Sequence, residues 1–322
     1  MDRYIWSPEP ELVDFSDPTR SRDALEAFGK AVWSEALDWL YGEALQRPMN
    51  PNTYPEAREV FFGPDRRPAP APVEPEPWPE VLAEFRERVA HATFNAQHQG
   101  SFSYFTPPPL PMSIGGEVLS QWLHQGVDVW HSGPSGAFVE EEVVAWLRAL
   151  VGFGEGTWGV LTSGGVMANL MAMAVARDVH LTRLLSLDGP PRGHHLEDVR
   201  IYASDQAHFS IGRGLDLLGF PTGTLSVLPS DERFRLHGDV VAEAVARDRA
   251  EGRLPLAIAA VSGSTNTGSV DLVGELADIA GREQMWLHVD AAYGGAVRLS
   301  ERDAARVPDL ERADSVTVDP HK

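Results

Sequence analysis

The second half of the chain alternates short apolar runs with segments of helical periodicity. The apolar runs cover residues 158–161, 199–203, 224–228, 256–262, 286–289 and 315–318. Between them, apolar side chains recur at helical spacing over residues 167–185, 209–218, 240–251 and 272–283. Strands that alternate with helices are typical of crossover units, in which parallel strands form one sheet with helices on both faces. The pattern therefore predicts an α/β fold with a mostly parallel sheet covered by helices.

The amino-terminal part has a different pattern. Apolar residues at helical spacing over residues 21–47 predict a helix. Prolines recur over residues 64–79, which favours an extended connector because proline cannot continue a regular helix. We therefore expect a helical segment with a proline-rich linker in residues 1–80 and a large domain in residues 81–322.

Two further helices are predicted before the alternating region begins. Helical spacing appears over residues 78–98 and again over 140–150. The segment between them contains three consecutive prolines and the pair Gly115-Gly116, which indicates an irregular loop. Long irregular loops often line binding sites.

Composition narrows the function classes. The 322 residues contain 27 basic and 47 acidic side chains, a net charge of −20 that disfavours nucleic acid and anionic membrane surfaces as partners. The absence of cysteine removes disulfides, thiolate metal sites and a cysteine nucleophile, and we expect no bound metal. No apolar run approaches the roughly 18 residues of a membrane helix, and the first ten residues lack a secretory pattern. A cytoplasmic protein is expected.

The turn after the first apolar run has the composition of an anion cradle. Thr162-Ser163-Gly164-Gly165 follows the run and precedes a predicted helix at Val166. Small residues let the backbone approach a ligand, and the free amides at a helix start attract phosphate. The same residues would serve equally well as a simple helix cap.

Chemically distinct groups follow the other apolar runs, where parallel sheets bind ligands. Each alone has a structural interpretation as well: His208 as a local contact, the hydroxyl-rich segment 262–268 as a polar turn, and a lysine as a surface charge. The groups are an imidazole, hydroxyls, a carboxylate and an amine, carried by His208, Thr265, Asp290 and Lys322. The glycine turn adds a candidate site for an anion. Pyridoxal phosphate needs nearly this set, because it has a phosphate to bind, a ring to stack on, a pyridine nitrogen to keep protonated and an aldehyde that reacts with an amine.

Residues 78–322 resemble the pyridoxal-phosphate-dependent group II amino-acid decarboxylases. The resemblance depends on three motifs: Ser204-Asp205-Gln206-Ala207-His208, His288-Val289-Asp290-Ala291-Ala292-Tyr293-Gly294-Gly295, and Ala313-Asp314-Ser315 leading to Asp319-Pro320-His321-Lys322. It implies a fold type I large domain in residues 81–322, after an amino-terminal helical extension.

The resemblance also implies roles for individual residues. The three catalytic residues are Lys322 as the Schiff-base lysine, Asp290 as the partner of the pyridine nitrogen, and His208 as the imidazole that stacks on the ring. The remaining cofactor-binding positions are Gly164, Gly165, Val166, Thr265, Ala292 and His321. Substrate-side positions are Tyr104, Phe105 and Trp130. Val166-Met167 departs from the family pattern of a hydroxyl residue followed by glutamate, so backbone amides would have to hold the phosphate.

The function implied is decarboxylation of an L-amino acid, with an aromatic substrate favoured, by a homodimer. The chain ends at Lys322, whereas the family continues with a catalytic loop, the rest of the large domain and a small carboxyl-terminal domain. We therefore expect these parts to be missing from the sequence and turnover to need them. The alternatives are a decarboxylation-dependent aldehyde synthase, a fold type I aminotransferase or lyase, and a non-catalytic fragment.

Overall fold

The computed structural model describes residues 18–42, 53–64, 67–68 and 76–322. By its internal contacts the chain divides into two compact units, Met1–Leu110 and Pro111–Lys322. This division falls later in the chain than residue 80, where the sequence suggests the end of the linker. The predicted division into residues 1–80 and 81–322 separates an amino-terminal extension from a large domain by their roles, whereas the two units are defined by their internal contacts. The predicted division therefore stays a prediction.

The first unit is helical. It contains α1 (Pro18–Tyr41), α2 (Tyr54–Phe62) and α3 (Trp78–Glu84), and the last of these continues as a π-helical and then a 3₁₀ turn to Ala92. The indole of Trp39 donates to the carbonyl of Ala90 at 3.2 Å, which joins α1 to the end of this helix. The helix predicted over 21–47 is thus confirmed as far as Tyr41, and the helix predicted over 78–98 is confirmed as far as Ala92, whereas residues 93–98 are not helical. Most of the proline-rich connector, and residues 43–47, lie outside the described residues.

The second unit begins with two helices, one of which the sequence analysis missed. They are α4 (Pro111–Leu123) and α5 (Pro134–Val151). The prediction of an irregular loop was wrong around Gly115-Gly116, because α4 begins at a proline and includes both glycines. Proline is favoured in the first turn of a helix, where its missing N–H has no partner to lose. Glycine costs only about 1 kcal/mol per residue relative to alanine in a helix, so two glycines do not exclude one.

The core of the second unit is a five-stranded sheet in the order β2-β1-β3-β4-β5. Every pairing is parallel, and this confirms the predicted sheet. The strands are β1 (Val199–Ser204), β2 (Leu225–Leu228), β3 (Leu254–Val261), β4 (Trp286–Asp290) and β5 (Ser315–Thr317). The helices along it are α6 (Gly165–Val175), which continues through a π-helical turn into α7 (Thr182–Leu185), α8 (Ser210–Leu217), α9 (Gly238–Ala250) and α10 (Val273–Glu283).

Alternate residues of the strands enter two different core clusters, as a sheet covered on both faces requires. Tyr202 and Ile258 pack in the cluster that includes residues of α9 and α10. Their chain neighbours Ile201 and Ala257 pack in the cluster that includes Met173 and residues of α8. All four strand residues are completely buried.

The strand predicted over residues 158–161 is wrong. The segment is irregular and pairs with no strand among the described residues. Trp158, Val160 and Leu161 are more than half exposed, and the amide of Leu161 donates to the Glu140 carboxylate at 2.9 Å. An apolar run becomes a strand only where a neighbouring strand supplies the hydrogen bonds, and periodicity cannot report that partner.

Within the described ranges, none of the helices combines the length and the apolar character that crossing a membrane would require.

Candidate active site

The carboxyl ends of the parallel strands meet at one edge of the sheet. Ser204, Val261, Asp290 and Thr317 end β1, β3, β4 and β5. The segments that carry His208, Thr265, Ala292 and Lys322 therefore all leave the sheet at this edge, where α/β proteins bind ligands.

Asp290 is a buried carboxylate held by two donors. It is the last residue of β4 and only 8% exposed. The side-chain amide of Asn169 donates to Oδ2 at 2.7 Å, and the backbone amide of Ala292 donates to Oδ1 at 3.1 Å. Because an ionised carboxylate has about four acceptor positions, each oxygen can still accept another hydrogen bond. The side chain is thus fixed in place and able to bind a cationic N–H.

His208 lies just before α8, and its Nδ1 atom is 2.8 Å from the hydroxyl of Ser210. Partial burial lowers the pKa of His208; the negative charge of Asp290 opposes this shift, and the positive charge of Lys322 adds to it. A histidine with a lowered pKa is neutral at pH 7. The imidazole therefore presents a flat, uncharged face close to both an acidic and a basic group.

The start of α6 approaches the lysine. Gly164 has φ +148°, a conformation that favours glycine, and α6 begins at Gly165. A Cβ atom placed on Gly165 would lie 3.7 Å from Cβ of Ala292 and 3.8 Å from Nζ of Lys322. The missing side chain therefore leaves a space bounded by the alanine and by the lysine amine.

The first turn of α6 has the features of an anion site. No side chain caps this helix within the described residues, so the amides around Val166 have no such partner. The Val166 side chain is 48% exposed, so the helix start is open to solvent. The amine of Lys322 lies 3.5 Å from the Asp319 carboxylate. A helix start with free amides beside an amine suits a ligand that carries both a phosphate and an aldehyde.

Two other predicted cofactor positions lie in exposed segments at the same edge. Thr265 is exposed in the loop after β3, and Ser264 stabilises that loop by hydrogen bonds to Thr267 at 2.7 Å and Ser269 at 2.9 Å. His321 is also exposed, and its backbone amide donates to Asp319 at 2.9 Å. Their roles stay predictions.

The predicted substrate-side residues belong to different units of the chain. Trp130 is 56% exposed, and its ring packs edge-on against Phe138 of α5 at 5.5 Å. Tyr104 and Phe105 belong to the first unit and have φ angles of 64° and 52°. The Tyr104 ring packs against Phe94 at 5.4 Å.

Sequence reasoning missed the polar side chains beneath the site. Asn169 on α6 is 2% exposed and bonds to Asp290, Ser210 and His288. The available signal was an amide one turn into an otherwise apolar helix, because a buried polar group needs partners. Ser210 and His288 lie in or beside the quoted motifs, but only the folded structure shows that they meet.

These features coincide with a known family. The model of the pyridoxal-dependent decarboxylase conserved domain matches residues 64–322. The fold and the site geometry define a fold type I pyridoxal enzyme domain. The chain belongs to the pyridoxal-dependent decarboxylase family.

Curated relatives differ in substrate. The chain is 34% identical to an aromatic-L-amino-acid decarboxylase of Bacillus atrophaeus over 76% of this chain and 49% of the relative. It is 30% identical to an L-2,4-diaminobutyrate decarboxylase of Acinetobacter baumannii over the same shares. It is 32% identical to a mouse cysteine sulfinic acid decarboxylase over 76% and 48%. The chain spans about half the length of these relatives.

Solved structures share the fold. Mouse CSAD in apo form has a TM-score of 0.82 at 28% identity, covering 93% of this chain and 61% of that one. A Rhodiola rosea 4-hydroxyphenylacetaldehyde synthase has 0.83 at 26%, covering 92% and 63%. Oryza sativa TDC, solved with PLP, has 0.81 at 25%, covering 95% and 65%.

The residues fit pyridoxal phosphate. A buried carboxylate with free acceptor capacity suits a protonated ring nitrogen, and a helix start without a side-chain cap suits a phosphate. The space left by Gly165 lies between Ala292 and the lysine amine, where a side chain would fill the room that a flat ring needs.

Proposed function

We propose that this chain is the cofactor-binding part of an L-amino-acid decarboxylase, with Lys322 as the covalent anchor. The observation that carries the proposal is the position of the Lys322 amine. A Cβ atom on Gly165, at the start of α6, would lie 3.8 Å from this amine and 3.7 Å from Cβ of Ala292. The charges of Lys322 and Asp290 both act on the imidazole of His208.

When bound, pyridoxal phosphate supplies an aldehyde that reacts with amines and a protonated ring that withdraws electrons. Lys322 would hold that aldehyde through its amine, which a substrate amine would displace. Asp290 would keep the ring nitrogen protonated through its free acceptor positions. His208 and Ala292 would contact the two faces of the ring, and the amides at Gly165 and Val166 would hold the phosphate. Thr265 and His321 would lie near the ring substituents and the phosphate.

The overall reaction replaces the α-carboxylate of the substrate by a proton. The carboxylate leaves as carbon dioxide, its bonding electrons remain on the α-carbon, and a proton from water or an acid group restores neutrality. The product is the amine. The groups of this chain would supply the orientation, because the phosphate site, the imidazole of His208 and the carboxylate of Asp290 would hold the cofactor in one position relative to the bond that breaks.

An aromatic substrate is our preferred choice, and Tyr104, Phe105 and Trp130 are the residues proposed to contact it. The similarity to an aromatic-L-amino-acid decarboxylase supports this choice, although other relatives act on diaminobutyrate and cysteine sulfinate. Amine production from a panel of aromatic, basic and acidic amino acids, assayed with the full reading frame, distinguishes these substrates. A homodimer and a cytoplasmic location belong to the same proposal, and light scattering and cell fractionation measure them.

A decarboxylation-dependent aldehyde synthase is the second candidate, because a 4-hydroxyphenylacetaldehyde synthase is among the structural neighbours. The two differ in product, so a quantitative assay for amine and for aldehyde separates them.

Reductive labelling tests the anchor directly. The chain contains two lysines, Lys30 and Lys322. Borohydride reduction of the protein with pyridoxal phosphate, followed by mass spectrometry of its peptides, is expected to show the cofactor on Lys322. A label on Lys30, or no label, would contradict the proposal.

A further inference from the structure

Beneath the site, a chain of buried hydrogen bonds joins α6, β4 and β5. Asn169 is its centre, and the side chain is 2% exposed. Around it lie Ser210, His288 and Asp290, which are between 0% and 8% exposed. A buried amide with partners on every side restricts the donors and acceptors that those partners can use.

Near β5, the hydrogen bonds can run from Trp286 towards Asn169. The indole of Trp286 can only donate, and it donates to Oγ of Ser315 at 2.9 Å. The Ser315 hydroxyl is then free to donate to Nδ1 of His288, 3.0 Å away. Complete burial lowers the pKa of His288, so the ring is neutral and has one N–H. Because the NH₂ group of Asn169 faces Asp290, Nε2 of His288 meets the amide oxygen and carries that hydrogen. That N–H donates to Oδ1 of Asn169 at 3.1 Å.

The carboxylate at the other end requires the same orientation. An ionised Asp290 only accepts hydrogen bonds, so the NH₂ group of Asn169 must face it, at 2.7 Å from Oδ2. The second hydrogen of the same NH₂ group donates to Oγ of Ser210 at 2.9 Å. Reversing the amide would place its carbonyl oxygen against the carboxylate and its NH₂ group against the N–H of His288.

The same series of hydrogen bonds determines the tautomer of His208. The Ser210 hydroxyl keeps its own hydrogen while it accepts from Asn169, and it can donate that hydrogen to Nδ1 of His208 at 2.8 Å. The backbone amide of Ser210 also donates to that nitrogen, at 3.3 Å. Nδ1 is therefore an acceptor, and the proton of the neutral ring lies on Nε2.

Given the proposed function of the site, we propose that Asn169 is its positioning residue. Its amide holds Oδ2 of Asp290 and, through Ser210, fixes His208 as the Nε2–H tautomer. Asn169 acts on the two groups that would contact opposite parts of the cofactor ring, and both are fixed before any ligand binds. Such pre-organisation removes the cost of reorienting them on binding.

The tautomer can be measured without the cofactor. In protein labelled with ¹⁵N in its histidine rings, the His208 signals are those that disappear in His208→Gln. We expect a protonated Nε2 and an unprotonated Nδ1 in the unmodified chain. A proton on Nδ1 of the unmodified chain would overturn the proposal, whatever the variants do.

Two variants test the path. Ser210→Ala removes one donor to Nδ1, and Asn169→Ala lets the Ser210 hydroxyl turn and accept from it, so in both we expect part of the His208 population to carry the proton on Nδ1. Ser262→Ala is the matched control: Ser262 is as buried as Ser210, and among the described residues its hydroxyl has no hydrogen-bond partner. The control is expected to leave the His208 signals unchanged.

Cofactor binding gives the second readout. Spectrophotometric titration with pyridoxal phosphate is expected to show binding about tenfold to a hundredfold weaker in Asn169→Ala, the loss of one hydrogen bond to a charged group. Ser210→Ala is expected to lose less, because Asp290 keeps its donor. Equal dissociation constants for Asn169→Ala and Ser262→Ala would overturn the role of Asn169.

The two proposals fail in different ways. An unmodified chain that binds no pyridoxal phosphate contradicts the proposed function, whereas the His208 tautomer still decides the proposal on Asn169 and Ser210. If Asn169→Ala does not fold, the unmodified chain and Ser210→Ala give the answer.

Discussion

The two sides of the candidate site differ in how firmly their groups are held. On the carboxylate side, Asp290, Asn169 and His288 are at least nine-tenths buried and joined by directed hydrogen bonds. On the lysine side, the Lys322 side chain is one-third exposed, and beside it a mainly apolar groove of about 460 Å³ runs between the edge strand β5 and the irregular segment around Trp158.

The difference matches what each side is proposed to do. A carboxylate that keeps a proton on the ring nitrogen works best when it never reorients, because fixed dipoles cost nothing at the moment of reaction. A lysine that exchanges with a substrate amine must leave and return, which requires room. Variants on each side can test this difference between a firmly held carboxylate and a mobile lysine.

The largest effect is expected for the lysine itself. Lys322→Ala removes the only amine near Gly165 and Ala292 in the described part of the chain, so we expect complete loss of borohydride labelling and, in the full reading frame, of decarboxylation. Lys30→Ala is the control, because Lys30 pairs with Glu26 on the exposed face of α1. Retention of a covalent label in Lys322→Ala would show that the lysine side has been assigned wrongly.

The next effect is expected on the carboxylate side. In Asp290→Asn the amide cannot stabilise a positive ring nitrogen, and a loss of about 3–4 kcal/mol would slow decarboxylation, measured with the full reading frame, several hundredfold. Asp205→Asn is the control: Asp205 also follows a strand, but it is exposed and bonds to the neighbouring Gln206. Similar rates for the two variants would mean that Asp290 has no special role.

A smaller effect concerns stability and pH. Burial lowers the pKa of His288, so the folded protein keeps this ring neutral where the unfolded chain protonates it. The contribution of the neutral His288 ring to the free energy of unfolding is therefore complete above about pH 6.5. It is lost as pH falls, by at most about 1.4 kcal/mol for each pH unit. We expect the difference in unfolding free energy between the unmodified chain and His288→Asn, measured with urea, to shrink from pH 7 to pH 5.

Asp271 acts in the opposite direction over this range. Burial raises the pKa of Asp271 to about 6, so the folded state binds its proton more readily than the unfolded state and gains stability as pH falls toward 4. This group is present in both proteins and cancels in their difference. A difference that stays constant with pH would show that His288 is not kept neutral by burial.

The sequence predicted the groups at the strand ends better than the groups beneath them. His208, Asp290 and Lys322 could be found because each follows an apolar run, and parallel strands bring such positions together. Asn169 could not, since a single amide in an apolar helix shows its partners only after α6 has packed on β4. The segment around Trp158 failed for a related reason, because strand formation depends on a neighbour that local periodicity does not contain.

The smallest effect is expected at the boundary between the two sides. A Cβ atom on Gly165 would make only ordinary contacts, at 3.7 Å from Ala292 and 3.8 Å from the Lys322 amine, so Gly165→Ala is expected to fold with an unchanged melting temperature. The methyl group would occupy space that the proposed ring needs, and we expect pyridoxal phosphate to bind about tenfold more weakly, roughly 1.4 kcal/mol. Gly281→Ala, in α10, meets nothing within 4 Å and should leave binding unchanged. Unaltered cofactor affinity in Gly165→Ala would place the ring elsewhere and remove the reason for assigning the two sides to one cofactor.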